Sequence, residues 1–157
     1  LSLEEVNIAD RLRAAENDIM LLAPDRRIRV KSPRELYVPA DEDLLSQMIG
    51  NLISNAVKFG DPEGVIDLSL EARNGFAVLS VSNTGSMIPQ ADQAKVFERF
   101  FRADTARSRE IEGVGLGLGL AREMARAHGG DLVLLQSNEQ RTTFELRLPH
   151  KSSSFQD

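Results

Sequence analysis

The stretch QMIGNLISNAVKFG, residues 47–60, decides how this chain is interpreted. Most of its positions are apolar, as a helix packed into a core requires, but four polar residues recur within it at spacings of four, four and three positions. These residues are Gln47, Asn51, Asn55 and Lys58. Because such spacings place side chains on one face of a helix, the sequence predicts a buried helix with a polar stripe.

Two explanations of the polar stripe stay open on spacing alone. The stripe can be the solvated face of an amphipathic helix. However, asparagine is a poor residue for a helix interior, because its side chain competes for backbone hydrogen bonds. Alternatively, the carboxamide oxygens can bind a hard cation such as Mg²⁺ together with water and phosphate, and the ammonium of Lys58 can contact phosphate oxygens.

The composition indicates a single globular domain. The 157 residues are 41% hydrophobic and 27% charged, which are ordinary values for a folded protein and argue against disorder. The net charge of −5 gives no reason to expect nucleic acid or an anionic membrane surface as a partner. There is no long apolar run, so we expect neither a membrane span nor a signal peptide. The chain begins at Leu1, and we expect it to be a fragment of a longer protein.

Helices and strands alternate along the rest of the chain. Apolar periodicity and end signals predict three main helices, at about 9–23, from the N-cap Asp41 to Gly60, and at 118–128. Strands are predicted at 26–32, 35–38, 65–72, 76–81, 131–136 and 142–148. Asn74 and Gly75 form a hairpin signal between two strands, and Pro39 is expected to end another. Antiparallel hairpins between interleaved helices favour a two-layer α/β sandwich, with a mixed, mainly antiparallel sheet and the three helices on one face, over a doubly wound sheet.

A glycine-rich run, EGVGLGLGL at residues 112–120, opens the last predicted helix. Glycines let backbone amides approach an anion near the positive end of a helix. The run is not a Walker loop, because no Lys-Ser or Lys-Thr follows, and it is not the dinucleotide fingerprint, because Leu118 stands where the third glycine belongs. A flexible hinge is the remaining alternative when the run is taken alone.

Four motifs follow one another in a specific order. They read NLISNAVKF at residues 51–59, KVFERFFR at 95–102, GVGLGLGLA at 113–121 and AHGG at 127–130. In this order they resemble the N box, the F box, the second glycine box and the following helix end of the catalytic and ATP-binding domain of sensor histidine kinases. The resemblance covers nearly the whole chain and implies the Bergerat fold, which is shared with DNA gyrase and heat-shock chaperone ATPases.

The resemblance implies a Mg-ATP site built around the polar stripe. Asn55 would bind Mg²⁺, Asn51 would support the triphosphate, and Lys58 would contact the phosphates. Phe59 would belong to the same nucleotide site. Arg102 in the F box would contact a phosphate or a neighbouring domain, and it would join Asn55 and Lys58 in catalysis. The second glycine box would wrap the phosphates from an ATP lid at about 98–115, through Gly113, Val114, Gly115, Leu116, Gly117 and Leu118.

The sequence departs from the family pattern at VSNTGSMIP, residues 81–89. The family's first glycine box usually reads Asp-x-Gly-x-Gly, and its carboxylate accepts a hydrogen bond from the adenine amino group. Here Asn83 replaces the Asp and Met87 replaces the second Gly, while Gly85 is kept. All three residues are expected to belong to the nucleotide site. A neutral acceptor is weaker than a charged one by on the order of 1 kcal/mol, so we expect binding to be weakened roughly five- to tenfold rather than lost.

The resemblance also implies partners that this chain does not supply. His128 is interpreted as a helix-ending cap and His150 lies near the tail, so neither matches the family's phosphoacceptor motif. We therefore expect a dimerisation and phosphoacceptor domain upstream, ATP and ADP as ligands, and a response regulator as partner. The catalytic domain, 1–149 with a flexible tail at 150–157, is expected to be cytoplasmic in a membrane-anchored parent. By itself it is expected to be monomeric, not membrane-bound and without a nucleic-acid partner.

Two other functions stay open at this point. Asn83 and Met87 could mark a degenerate interaction module that binds no nucleotide. A serine kinase or anti-sigma-like switch of the same fold would phosphorylate a partner's hydroxyl group, although the F box and AHGG favour a sensor kinase. ATP hydrolysis is not expected, because Asn51 stands where the hydrolase branch of the fold carries a glutamate, and an amide cannot serve as a general base.

Overall fold

The computed structural model describes residues 1–85, 87–98 and 112–150, and for residues 112–116 it describes the backbone. Within these ranges the helices are α1 (Ile8–Leu22), α2 (Glu42–Phe59) and α3 (Glu112–Ala127), with a short 3₁₀ helix at Gln90–Lys95. The strands are β1 (Glu4–Asn7), β2 (Arg27–Lys31), β3 (Tyr37–Ala40), β4 (Val65–Arg73), β5 (Phe76–Thr84), β6 (Asp131–Ser137) and β7 (Arg141–Pro149). The three predicted main helices are all present.

Five strands form one mixed sheet in the order β2-β4-β5-β7-β6. β2 pairs parallel with β4, whereas the other neighbours pair antiparallel. β1 and β3 form a separate antiparallel ladder. Alternate residues of the central strands are buried in the core with the helices, among them Leu68 on β4, Leu79 on β5 and Leu146 on β7. The expected two-layer sandwich, with a mainly antiparallel sheet and the helices on one face, is confirmed.

Helix α2 provides the centre of the core. Asp41 caps its first turn, as predicted, because Oδ1 accepts a hydrogen bond from the Leu44 amide (3.3 Å). The buried apolar side chains of the helix recur at helical spacing and are Leu45, Met48, Ile49, Leu52, Ile53 and Ala56. Full burial of an aliphatic side chain contributes about 1.5–3 kcal/mol. This face therefore holds α2 against the sheet and directs the opposite face away from it.

The β4–β5 hairpin also confirms its prediction. Asn74 and Gly75 both have positive φ, 54° and 83°, as a two-residue turn between twisted strands requires. β5 continues to Thr84, beyond the predicted end, because its last residues keep pairing with β7; Asn83, for example, lies opposite Thr142. Asn83 is thus held by a strand and not by a turn.

Two strand predictions were wrong. β3 runs through Pro39 instead of ending before it. The reason is that, among the described strands, β3 pairs with β1 alone, and a proline is tolerated where one side of a strand has no partner. β1 is missing from the sequence-based expectations, because Glu4–Asn7 has no clear alternation of apolar and polar residues.

Helix α3 begins at Glu112, well before the predicted start at Leu118. The low helix propensity of glycine argues against a helix through Gly113, Gly115 and Gly117. Within the predicted part of the helix, a Cβ at Gly119 would lie 2.5 Å from Phe97 O. Glycine at this position permits the backbone of Phe97 to pack directly on the helix.

The end of β7 is hydrogen-bonded to the turn of the β4–β5 hairpin. The strand reaches Pro149, and the His150 amide donates a hydrogen bond to Gly75 O (2.9 Å). The sequence had predicted fraying from Leu148 and a flexible tail from His150. Residues 151–157 of that tail lie outside the described residues.

Charged side chains cross-link the outer face of the sheet. Arg29 on β2 donates two hydrogen bonds to Asp67 on β4, from Nε (2.8 Å) and from Nη2 (3.1 Å). Arg141 on β7 lies 3.5 Å from the same carboxylate and donates to Ser82 Oγ on β5 (3.0 Å). The hydrogen bonds from Arg29 hold the pKa of Asp67 below its usual value. Asp67 therefore ties β2, β4 and β7 together.

We predict that Asp67→Asn lowers the free energy of unfolding at neutral pH. We also expect this free energy to fall less steeply in the variant as the pH is lowered. Because the pKa of Asp67 is depressed in the native state, its stabilisation is present above the unfolded pKa of about 4 and is lost as the pH falls through the native value. Arg29 is 69% exposed, so we expect a loss of at most about 1 kcal/mol. Urea unfolding at a series of acidic and neutral pH values measures the effect. Asp18→Asn, on the exposed side of α1, is the control, and equal acid dependence of the two variants would contradict the prediction.

Candidate functional site

The polar stripe lies on α2, and its members differ in exposure. Asn55 is buried, with 8% of its surface exposed, Asn51 is half-buried and Lys58 is exposed. Among the described residues, no carboxylate forms an ion pair with Lys58. The stripe therefore runs from the exposed Gln47 through the half-buried Asn51 and the buried Asn55 to the ammonium of Lys58, which has no acidic partner in the described part of the chain.

The side chain of Asn55 is suited to bind a ligand. No residue in the described ranges forms a hydrogen bond with its amide, whereas buried polar groups nearly always have a partner. Within the described part of the chain, Arg26 Nε is the one side-chain nitrogen or oxygen atom that is both fully buried and without a hydrogen-bond partner. The amide of Asn55 is therefore not fully buried. The Asn55 amide is thus open to solvent or to a ligand, as a cation-binding oxygen has to be.

A cation at this site would depend on few protein ligands. In residues 1–85, 87–98 and 112–150, no group of three or more acidic, histidine or cysteine side chains could hold a metal ion. Mg²⁺ tolerates this, because it retains water and binds through few protein oxygens together with substrate phosphates. The residues present therefore fit a magnesium–nucleotide complex better than a resident metal ion.

Helix α3 brings the glycine-rich run to the stripe. Asn51 Nδ2 donates a hydrogen bond to Gly117 O (3.2 Å), and a Cβ at Gly117 would lie 3.6 Å from Asn51 Cγ. Leu118, the next residue, is buried in the hydrophobic core, so its backbone is the part that can reach a ligand. For Gly113, Val114, Gly115 and Leu116, the structure describes a helical backbone.

The loop after β5 lies at the C-terminal end of α2. Asn83 is buried beside Gly60, where a Cβ on the glycine would lie 3.0 Å from Asn83 Cβ. Asn83 Nδ2 lies 3.5 Å from both Thr84 O and Gly85 O. The Asp61 amide donates to Thr84 O (2.9 Å), so the loop is tied to the residues that follow α2. The structure thus brings Asn83 and Gly85 to the Lys58 end of the stripe.

The other predicted site residues have less structural support. Met87 is 48% exposed and Phe59 is half-buried. Arg102 lies outside the described residues, as does most of the predicted lid at 98–115. The predicted residues that the structure brings together are Asn51, Asn55, Lys58, Asn83, Gly85 and Gly117.

Arg26 supports the site, and the sequence analysis did not find it. Its Nη1 donates to Val57 O (2.7 Å), one of the carbonyls left unpaired at the end of α2, and its Nη2 donates to Asp61 O (3.2 Å). Arg26 is separated from Val57 by 31 positions. No local pattern could have indicated a contact over that separation.

The fold and the polar stripe together define an ATP-binding domain of the Bergerat type. The chain belongs to the family of histidine kinase-, DNA gyrase B- and HSP90-like ATPases, whose family model matches residues 40–152. The sensor histidine kinase WalK of Bacillus subtilis (strain 168) is 40% identical over 132 residues, which make up 83% of this chain and 22% of WalK. The first curated relatives are much longer, and the chain spans between 22% and 33% of their length.

Solved structures agree with this assignment. A mycobacterial sensor histidine kinase, MprB, has a TM-score of 0.83 and 27% identity, covering 94% of this chain and 99% of the MprB chain. Full-length ShkA in complex with AMPPNP has a TM-score of 0.75 and 26% identity, covering 98% of this chain and 32% of ShkA. The resemblance to the ATP-binding domain of sensor histidine kinases in two-component signalling is therefore confirmed. None of the helices in the described residues is long and apolar enough to span a membrane.

We predict that Gly85→Ala destabilises the domain more than Gly75→Ala does. Both glycines have a φ of 83°, a conformation that costs an alanine about 1–2 kcal/mol. A Cβ at Gly85 would lie 2.8 Å from Asp61 Cβ, whereas nothing lies within 4 Å of one at Gly75. Gly75→Ala therefore controls for backbone strain, and overpacking adds about 1–3 kcal/mol at Gly85. Urea unfolding measures both variants, and equal losses would disprove a tight contact between the loop and Asp61.

Proposed function

We propose that this chain binds Mg-ATP and supplies the γ-phosphoryl group for histidine autophosphorylation in a two-component sensor kinase. One observation carries the proposal: the buried amide of Asn55, which has no hydrogen-bond partner among the described residues, shares a helix face with Asn51 and Lys58. Asn51 in turn contacts the glycine-rich start of α3. We assign the catalytic domain to residues 1–149, the ATP lid to about 98–115 and a tail to 150–157.

Each described residue has a distinct role in the proposed complex. The carboxamide oxygen of Asn55 would bind the cation, and the ammonium of Lys58 would bind phosphate oxygens as a point charge. Asn83 would accept a hydrogen bond from the adenine amino group at the C-terminal end of α2. Mg²⁺ bound with the nucleotide supplies charge neutralisation at the phosphates. The protein groups are already held in place by α2, so little reorganisation is needed as charge develops.

Further residues complete the proposed site. Arg102 would contact a phosphate or the phosphoacceptor domain, and residues 113–118 would surround the phosphates. The helical backbone of this segment leads directly to the contact between Gly117 and Asn51, which supports the placement. Met87 and Phe59 would lie near the nucleotide. The structure of full-length ShkA contains AMPPNP, and the chain matches that structure over 98% of its length, which supports an adenine nucleotide as the ligand.

The phosphoryl acceptor is proposed to lie outside this chain. The chain has two histidines. His128 is 9% exposed and both of its ring nitrogens are hydrogen-bonded, so it is not available for attack on a nucleotide. The Nδ1 atom of His150 lies 3.1 Å from Tyr37 O on β3. Relatives such as WalK are several times longer than this chain, which supports a separate dimerisation and phosphoacceptor domain.

The remaining parts of the proposal concern the parent protein. We infer that the parent is anchored in the cell membrane with this domain in the cytoplasm, and that a response regulator takes the phosphoryl group from the acceptor histidine. The names of relatives such as WalK and VanS, both sensor proteins, support this setting.

A degenerate module that binds no nucleotide is the second candidate, and Asn83 is the observation that favours it. Its side-chain nitrogen lies 3.5 Å from the carbonyl oxygens of Thr84 and Gly85, which are weak contacts. An uncharged acceptor at this position weakens the contact with adenine relative to a carboxylate. The two candidates differ in one measurable property, the affinity for Mg-ATP.

We predict magnesium-dependent binding of a non-hydrolysable ATP analogue, measured by calorimetric titration of the 157-residue chain. Asn55→Ala is expected to remove the dependence on Mg²⁺, because it removes the cation ligand. Asn83→Asp is expected to tighten binding roughly five- to tenfold, because a charged acceptor contributes more than a neutral one. Ser54→Ala, the neighbouring position on α2, is the matched control and should bind like the parent.

The outcomes separate the two candidates. If the parent fails to bind and Asn83→Asp binds, the loss is located at residue 83. If neither binds, the degenerate module is favoured. Magnesium-independent binding that Asn55→Ala leaves unchanged would remove Asn55 from the site.

We also predict that the isolated chain does not turn over ATP. Asn51 carries an amide in place of a general base, and its Nδ2 already donates to Gly117 O. Phosphate release should therefore stay at the level of the Asn55→Ala variant in a steady-state assay. Turnover that clearly exceeds this background and disappears in Asn55→Ala would refute the prediction.

A further inference from the structure

His128 joins the ends of two helices. It follows the last residue of α3, and its Nε2 accepts a hydrogen bond from the backbone amide of Asp41 (3.1 Å), the N-cap of α2. Its Nδ1 lies 2.7 Å from Met124 O, one turn back in α3. Since 9% of its surface is exposed, the ring is buried between the two helix ends.

The two contacts define the tautomer of the ring. A carbonyl oxygen can only accept a hydrogen bond, so Nδ1 carries the proton and donates to Met124 O. A backbone amide can only donate, so Nε2 is the acceptor for Asp41. The contact with Met124 lies within the C-terminal end of α3, as expected for a residue that caps this helix. The second contact reaches a different helix, and the cap interpretation does not account for it.

A second hydrogen bond joins the same pair of helices, from Asn51 Nδ2 to Gly117 O (3.2 Å). At 1.5 Å per residue, Asp41 and Asn51 are about 15 Å apart along α2, and Gly117 and His128 are about 16 Å apart along α3. The two helices are therefore antiparallel and are bonded at two matched points. Two directional bonds at this separation limit how far α3 can slide along α2.

The register of the helices determines where the glycine-rich start of α3 lies. One helical turn beyond the contact between Asn51 and Gly117, the backbone at Gly113 comes level with Asn55. A slide of one residue would displace it by about 1.5 Å, which is enough to break a hydrogen bond. We propose that His128 is a positioning residue that holds α3 in register on α2 and so sets the distance between the glycine-rich segment and Asn55. This inference rests on the function proposed above.

Two substitutions separate the two contacts of His128. His128→Gln places an amide oxygen near the position of Nε2, so it can keep the bond from Asp41 while giving up the bond to Met124. His128→Asn places an amide nitrogen near the position of Nδ1, so it can keep the bond to Met124 while giving up the bond from Asp41. Each variant loses one hydrogen bond, and thermal unfolding shows whether the structural damage is matched.

The test is a calorimetric titration of the parent chain and both variants with AMPPNP and Mg²⁺. We expect His128→Asn to bind roughly three- to tenfold more weakly than the parent, and His128→Gln to bind like the parent. Thermal stabilities of the two variants should be similar. Amide hydrogen exchange in residues 117–127 without nucleotide is the second readout, and it should be faster in His128→Asn than in His128→Gln.

The outcomes distinguish this inference from the proposed function. If the parent binds and the two variants are weakened equally, or neither is weakened, His128 is only a cap and the positioning role is overturned. The role is overturned as well if His128→Gln is the weaker binder. If the parent itself binds no nucleotide, the proposed function fails and the inference fails with it.

Discussion

The structure depends on the division of helix α2 into an apolar face and a polar face. The aliphatic side chains pack against the sheet, and each contributes about 1.5–3 kcal/mol when fully buried. An asparagine in a helix interior costs about 0.7 kcal/mol or less relative to alanine. Burial of the apolar face therefore outweighs the low helix propensity of Asn51 and Asn55. As a result, the helix can hold amide groups at positions where a purely structural helix would carry better helix formers.

Polar contacts then position the neighbours of α2 at three points along its length. His128 accepts a hydrogen bond from the N-cap, Gly117 accepts one from the middle of the helix, and Arg26 donates one to Val57 O near its end. Apolar packing brings elements together but is not directional. Hydrogen bonds require defined distances and angles, so they determine where along α2 each neighbour rests. The proposed Mg-ATP site, which would have to hold a cation and a phosphate at defined positions, depends on this second kind of contact.

The predictions from sequence were correct where all the residues that form a local structure are close together in the chain. Asp41 as an N-cap and the hairpin at Asn74 and Gly75 belong to this class, because each involves residues that are close in the chain. The predictions failed at Pro39 and at the start of α3. Whether Pro39 is tolerated depends on which strands pair, and tertiary contacts decide that. Nothing local in the sequence marks residues 112–117 as helical, because glycine disfavours a helix.

Helical periodicity is a property of neighbouring residues, so the order of amino acids alone places Asn51, Asn55 and Lys58 on one face of a helix. The order of the motifs also determined the family. Which groups meet that face depends on how the helices and strands pack together. The contact between Asn51 and Gly117 spans 66 positions, and the contact between Asp41 and His128 spans 87. Hydrogen bonds over such separations form only after the core has packed the helices side by side, so no local pattern could specify them.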